Sequence, residues 1–212
     1  MSATLEMLPL VVVSSGPFCE QMLVAAGIPC RVADLVIRET VEISRRVGPI
    51  EAAESLAYLQ ARATAEKTHA EYVLAAETVV AVGGKVFGRP PGRLEAAEML
   101  RRLSGTRHAV ITGVALLMPG LRLIASDLTY VTMAPMSARE ISAYLASGRW
   151  LGIPGAYATA GMVERFVTKL EGSFSNLMGM PVELVTRMMA EAREHPESHR
   201  FAQAGRLAVT VA

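Results

Sequence analysis

An α/β fold built on a mixed β-sheet is predicted by three features of this chain. Short apolar, β-branched runs alternate with longer Ala-, Leu- and Glu-rich segments of helical character. Two pairs of runs are joined by tight turn dipeptides, Gly83-Gly84 and Pro119-Gly120, so part of the sheet is antiparallel. With 212 residues, 51% of them hydrophobic, the chain buries a sizeable core as a single domain over 1–212, with a polar tail after His195.

The elements follow in order. Residues 8–13 (LPLVVV) read as a buried strand ended by Ser14-Ser15-Gly16-Pro17. Pro17 suits a first helical turn, Met22, Leu23 and Ala26 mark the inner face, and Gly27 stops the helix. A second strand spans 30–37. Residues 49–70 favour a helix with Leu56, Leu59 and Ala63 on one face. Residues 72–80 form a strongly apolar strand, and Gly83-Gly84 turns it into Lys85–Phe87. Helical periodicity returns over 93–103, with Leu94, Ala97, Leu100 and Leu103 inward. Long strands at 108–118 and 121–133 flank Pro119-Gly120. Ser137 and Glu140 have the spacing of a capping box, which starts a helix to about Ser147. A strand at 163–170 and a helix from Pro181 to near Arg193 complete the pattern.

Composition excludes several function classes. A net charge of +1 and 5% aromatics give no general attraction to nucleic acid, so an anionic substrate must meet a local basic pocket. Cys19 and Cys30 fit neither a disulfide framework nor a metal pair and read as reduced core or pocket residues. The N-terminal segment carries Glu6 without a basic region before its apolar run, and that run is short of a membrane span. A soluble cytoplasmic protein is expected.

Five segments stand out: SSGPFCEQML at 14–23, ETVVAVGGKVFGRP at 77–90, LSGTRHAVITGV at 103–114, which reads mostly as architecture, GAYATAG at 155–161 and GSFSNLMGMP at 172–181. Glu77 stands out among them, because a carboxylate after four apolar or small residues at the end of a buried strand is a functional-site signal. Gly83-Gly84-Lys85 lacks the spacing of a phosphate-binding loop. His195 and His199 have ligand-like spacing, but Pro196 between them argues against a metal site.

Taken together, these segments resemble the Maf family of nucleoside triphosphate pyrophosphatases over about residues 8–190. The resemblance implies an elongated mixed sheet flanked by helices, with two lobes and a central cleft, as in inosine triphosphatase-like folds. It implies hydrolysis of a nucleoside triphosphate to monophosphate and pyrophosphate, with Mg²⁺ or Mn²⁺, often as a homodimer and with a link to septum formation.

Residue by residue, the correspondence is partial. The family's Ser-x-Ser-Pro-Arg-Arg appears as Ser14 to Cys19, with Phe18 and Cys19 in place of both arginines. Ser14 and Phe18 are substrate-binding candidates, the phenylalanine by stacking on a base. The family's Asp-Glu after the second strand is Arg38-Glu39, making Glu39 the second carboxylate and Arg38 a candidate phosphate ligand. The lysine of the following helix is matched to Arg62. Asp-Thr-Val-Val becomes Glu77-Thr78-Val79-Val80, with Glu77 as base or metal ligand and Thr78 beside it as a substrate-binding candidate, and Lys-Pro becomes Arg89-Pro90. Arg38, Arg62 and Arg89 would form a rebuilt anion pocket, with Arg62 and Arg89 as the clamps. The glutamine that helps to read the base is replaced by Ala160, and the preceding Asp-Lys pair is absent. Gly172-Ser173-Phe174-Ser175-Asn176, Gly179 and Pro181 match a turn that braces the last helix, and His108 reads as a structural histidine.

Two functions follow from this pattern. One is a working pyrophosphatase with altered base selection. The other is a pseudoenzyme of the same fold that binds a nucleotide or a protein partner without turnover. Retention of charge sign at Glu39, Arg62, Glu77 and Arg89 favours the first, and loss of the paired arginines, the Asp-Lys pair and the glutamine favours the second.

Overall fold

The computed structural model describes residues 10–14, 16, 18–34, 47–157, 162 and 165–194. Among the described residues, seven strands form one mixed sheet. In chain order the elements are β1 (Leu10–Ser14), α1 (Cys19–Ala25), β2 (Cys30–Val32), α2 (Pro49–Thr68), β3 (Val73–Val82), β4 (Lys85–Phe87), α3 (Arg93–Leu103), β5 (Arg107–Met118), β6 (Leu121–Met133) and α4 (Ala138–Ala146). A short 3₁₀ turn at Pro154–Ala156 then leads to β7 (Val167–Glu171), α5 (Phe174–Leu177) and α6 (Val182–Glu194). The strand order is β2-β1-β3-β5-β6-β7, with β4 also paired to β3. β1 runs parallel to β2 and β3, and the other pairings are antiparallel. The expected mixed sheet flanked by helices is what the chain adopts.

Side chains alternate across β3 and divide the core by sheet face. Val73, Ala75 and Val79 face α2, where they meet Ala53, Leu56, Ala57 and Ala61. On the opposite face, Leu74 and Ala76 pack beneath α1 and α6 with Leu23, Leu184 and Met188. Farther along that face, Val80 joins a second cluster with Leu100 and Leu103 of α3, Leu145 of α4, Trp150 and Tyr157.

α2 sits close to the sheet because its inner stripe is mostly alanine. Gly113 of β5 is essential to this approach: a Cβ there would lie 2.2 Å from the backbone carbon of Ala53. The same stripe corrects one expectation. Leu59 is exposed, and the buried face instead carries Ala52, Ala53, Leu56, Ala57, Gln60, Ala61 and Thr64. Leu94 is also exposed, while Ala96 is buried. Nine residues at ~100° each place Leu94 about half a turn from Leu103, so steps of three drift off the inner face. Ala26 is exposed at the end of α1, which Gly27 closes in a left-handed conformation.

The strand expected over 30–37 is Cys30–Val32 among the described residues, and β7 begins at Val167 instead of 163. The capping box is present: Ser137 Oγ accepts from the Glu140 N–H, and Glu140 accepts from the Ser137 N–H. Among the described residues no helix is long and apolar enough to cross a membrane.

Candidate active site

The candidate site lies on an interrupted edge of β3. β5 pairs with β3 from Val73 to Ala81, filling one edge. On the other edge, β1 pairs only through Ser14↔Ala76, and β4 starts at Val80↔Phe87. Glu77, Thr78 and Val79 therefore have no strand partner on that edge among the described residues. The carboxyl end of a parallel strand meets a change of neighbour here, a type of place where α/β sheets bind ligands.

Separate sequence motifs converge on this gap. The Gly155 N–H donates to the Gly88 carbonyl at 3.0 Å, and a Cβ on Gly155 would stand 2.7 Å from Val80 Cγ2. A Cβ on Gly16 would lie 2.8 Å from the Met178 carbonyl oxygen, and Ser14 Oγ donates to the Gly179 carbonyl at 3.3 Å. The glycines thus let Ser14 and Gly16 approach the GSFSNLMGMP turn, and let Gly155 approach β3 at Val80.

Glu77 projects toward the α2 face by alternation with Ala75 and Val79. It falls between the two apolar clusters of that face, beside Gly113 in the β5 register. Its side chain is 4% exposed, and Arg89, 12% exposed, donates from Nη2 to Glu77 Oε2 at 2.5 Å. Burial pushes the Glu77 pKa above the usual carboxylate range, and the charge and hydrogen bond of Arg89 pull against that rise. Arg89 Nε is buried and has no hydrogen-bond partner among the described residues. The pair therefore joins a proton-accepting carboxylate held in low dielectric to a guanidinium with donor capacity left over.

Thr78, the next residue, faces the opposite side. Its hydroxyl shares a 2.9 Å hydrogen bond with Thr112, whose hydroxyl is also 3.3 Å from the Asn176 carbonyl. Asn176 Nδ2 donates to the Val110 carbonyl at 3.1 Å and to Thr129 Oγ1 at 2.9 Å. Ser173 Oγ accepts from the Asn176 N–H, and Ser175 Oγ accepts from the Val182 N–H at the start of α6. This turn braces the last helix, as its sequence suggested. His108, likewise buried, contacts the Tyr157 hydroxyl at 3.0 Å. Burial depresses its pKa to about 4, so it is a neutral structural group near pH 7.

Of the residues singled out from the sequence, the structure brings Glu77 and Arg89 together. Ser14 and Thr78 lie on the other sheet face, tied into the turn around Gly179. Phe18 caps the start of α1 and is 39% exposed. Arg62 is not brought to the pair: it is exposed on α2, where its Nε donates to Glu66 at 2.9 Å. Arg38, Glu39 and Ala160 lie outside the described residues. Sequence reasoning passed over Gln60, a buried amide on the inner face of α2. Its signal was a polar residue set among Leu56, Ala57 and Ala61 on a helical face.

The fit to a divalent cation depends on the donor set. Among the described residues no group of three or more His, Cys, Asp or Glu side chains could cage a metal ion. Glu77 presents a single carboxylate, which suits the way Mg²⁺ is held by one or two carboxylates and the substrate's own phosphates.

Comparison with known proteins identifies the family. A family model described as "Maf-like protein" matches residues 9–192. This chain belongs to the Maf-like family. A dTTP/UTP pyrophosphatase of Symbiobacterium thermophilum is 35% identical over 86% of this chain and 93% of its own. One of the same name from Halalkalibacterium halodurans is 33% identical over 92% of this chain and 100% of its own. A third, from a Geobacillus strain, is 35% identical over 84% and 95%. The span matched by the Maf-like family model runs from just before β1 to near the end of α6, so the whole described sheet lies within it.

Proposed function

We propose that this Maf-like chain is a nucleoside triphosphate pyrophosphatase acting on pyrimidine substrates such as dTTP and UTP, with Glu77 and Arg89 at its reacting centre. The observation that carries this reading is the buried Glu77–Arg89 pair on the open edge of β3. The activity for which the relatives are named supplies the reaction.

In the proposed reaction, a water oxygen forms a bond to the α-phosphorus, and the bond from that phosphorus to the α,β-bridging oxygen breaks. Pyrophosphate leaves with the bonding electrons, and the monophosphate remains. Glu77 accepts the proton released by the water, which general-base chemistry requires of a group in hydrogen-bond reach. Arg89 turns its spare donors to the phosphate oxygens and offsets the charge that builds as the bond breaks. Its planar fork suits two phosphate oxygens at once. A divalent cation, held by Glu77 with Glu39 and the triphosphate, would neutralise phosphate charge. Because burial raises the Glu77 pKa, turnover should increase with pH as that carboxyl loses its proton. Ser14 and Phe18 stand where the nucleotide could be met at the end of β1, and Ala160 leaves base reading to other groups. The family likeness also carries homodimerisation and a cytoplasmic location into this proposal.

The test is pyrophosphate release from dTTP, UTP, CTP, dATP and GTP with Mg²⁺ or Mn²⁺. Release confined to dTTP and UTP supports the reading. Release from purine nucleotides alone overturns its substrate class. Binding without release on any nucleotide moves the protein to the non-catalytic alternative.

A further inference from the structure

The edge of β6 away from β5 is open over much of its length. β5 pairs with β6 over 121–132, whereas β7 reaches it only over 130–133. Gly172 lies close to the strand just before that, since a Cβ there would stand 2.9 Å from the Leu128 carbonyl oxygen. Residues 121–127 therefore have no strand partner on this edge among the described residues. An open edge presents a row of unpaired N–H and C=O groups, and proteins blunt it with proline, a bulge or outward charge. The stretch LRLIASD has no proline or lysine, and the register shift of β6 falls at Thr132/Met133, outside it. Its two charged side chains are engaged elsewhere. The Arg122 guanidinium lies 5.2 Å from the centre of the Tyr58 ring, and Asp127 Oδ1 accepts from the Leu128 N–H at 2.8 Å. Leu121, Leu123 and Ala125 flank the core cluster beneath α6 but stay half-buried, and Ile124 on the other face is exposed.

The chain continues from the neighbourhood of this edge. α6 begins where the Val182 N–H donates to Ser175 Oγ, next to Asn176, whose carbonyl lies 3.3 Å from the Thr112 hydroxyl. Its apolar side chains, from Leu184 to Ala192, pack in the cluster that holds Val114 and Leu116 and is flanked by Leu121 and Leu123. α6 thus runs toward the Pro119-Gly120 turn and ends at Glu194 near the start of β6. Beyond residues 195–205 the sequence reads Arg206-Leu207-Ala208-Val209-Thr210-Val211. Leu207, Val209 and Val211 alternate with Ala208 and Thr210, a strand pattern rich in β-branched residues. Residues 195–205 reach up to ~36 Å when extended, more than the ~24 Å length of the open stretch. We propose that residues 206–211 add to the edge of β6 over 121–127 as a further strand of the sheet in the same chain. Leu207, Val209 and Val211 then extend the apolar face beside Leu121, Leu123 and Ala125, with Ala208 and Thr210 beside Ile124. A β-prone segment uncharged from Leu207 onward and an open edge are each aggregation hazards, and pairing one with the other removes both. β5 separates this edge from β3, so the test does not depend on turnover.

The experiment is hydrogen exchange of the full chain, read by mass spectrometry on fragments that cover 121–127. Wild type is compared with Val209→Ile and with the double variant Val209→Pro, Thr210→Pro. Neighbouring N–H groups of a strand point to opposite edges, so one of the two prolines must remove a bond to β6. The proline variant should exchange the 121–127 amides that point away from β5 about tenfold faster than wild type. Isoleucine keeps the β-branched shape, and Val209→Ile should match wild type. Fragments from β3 should exchange alike in all three proteins, which separates loss of the added strand from general unfolding. Equal exchange of 121–127 in wild type and the proline variant would overturn the proposal. Wild-type protection that disappears on dilution would also overturn it, because a second copy would then be covering the edge.

Discussion

Two polar groups lie back to back on the same stretch of β3, and they are built for opposite purposes. On one face, Thr78, Thr112, Asn176 and Thr129 form a neutral network that joins β3, β5 and β6 to the turn before α6. On the other, Glu77 and Arg89 form a charged pair between two apolar clusters, at an edge that β1 has left and β4 has not yet reached. The neutral network directs its donors to protein acceptors, which suits bracing. The charged pair keeps desolvated charge and a spare guanidinium donor where strand pairing stops. Buried charge is a poor stabiliser compared with an apolar pair of the same volume. Its presence beside an available network of neutral bonds therefore points to chemistry.

The sharpest way to break the comparison is Arg89→Met. Leaving Glu77 buried without its partner should destabilise the fold by about 3–5 kcal/mol near neutral pH. The sign with pH is definite. Glu77 has a folded-state pKa above its unfolded value, so its cost is absent when protonated and grows as pH rises through that folded pKa. Urea unfolding at pH 5 and pH 8 should show the larger loss at pH 8, and Glu77→Gln in the same chain should restore most of it.

On the neutral face, Asn176→Ala removes the donations to Val110 and Thr129 and should cost about 3 kcal/mol. Unlike a change in the charged pair, it should leave KM for dTTP within about twofold in the folded protein, because a hydrogen-bond brace acts through stability. A tenfold rise in KM would show that the two faces are coupled.

The smallest effect concerns His108. Its folded pKa of about 4 lies below the unfolded value, so the unfolded chain takes up the proton first as pH falls. Stability present above about pH 6.5 is lost progressively down to the folded pKa, amounting to about 2 kcal/mol by pH 5. His108→Gln should flatten that part of the stability profile in urea titrations.

Much of this fold was legible in the sequence because its elements carry strong local signals. The Gly83-Gly84 hairpin, the Pro119-Gly120 turn and the Ser137–Glu140 capping box all occur where residue chemistry placed them. Burial on helices was less legible. A stripe of alanine packs α2 against a glycine in β5, and no hydrophobicity count reveals that Leu59 is left outside. In the candidate site, the residues that form the Glu77–Arg89 pair carried a signal, because a carboxylate in an apolar strand and a Gly-Arg-Pro after a hairpin are unusual at those positions. Arg62 was matched by its place in the helix alone, and the structure leaves it exposed and paired with Glu66, because neighbouring helix positions differ by ~100° and pattern matching does not fix which one faces the sheet. Thr78 was read as a ligand from its place beside Glu77, yet strand alternation sends its hydroxyl to Thr112.

The central claim is that Glu77 takes the proton from the attacking water, and the most direct measurement is pyrophosphate release by Glu77→Gln beside wild type. The amide keeps the shape and can still accept from Arg89, but the largely buried guanidinium loses its counter-charge, so the fold should survive with a lowered melting temperature and activity is compared per folded protein. Turnover of dTTP should fall by about 10²–10⁴-fold, the usual contribution of a general base. A variant that retains the wild-type rate would contradict the account and move the base elsewhere in the chain.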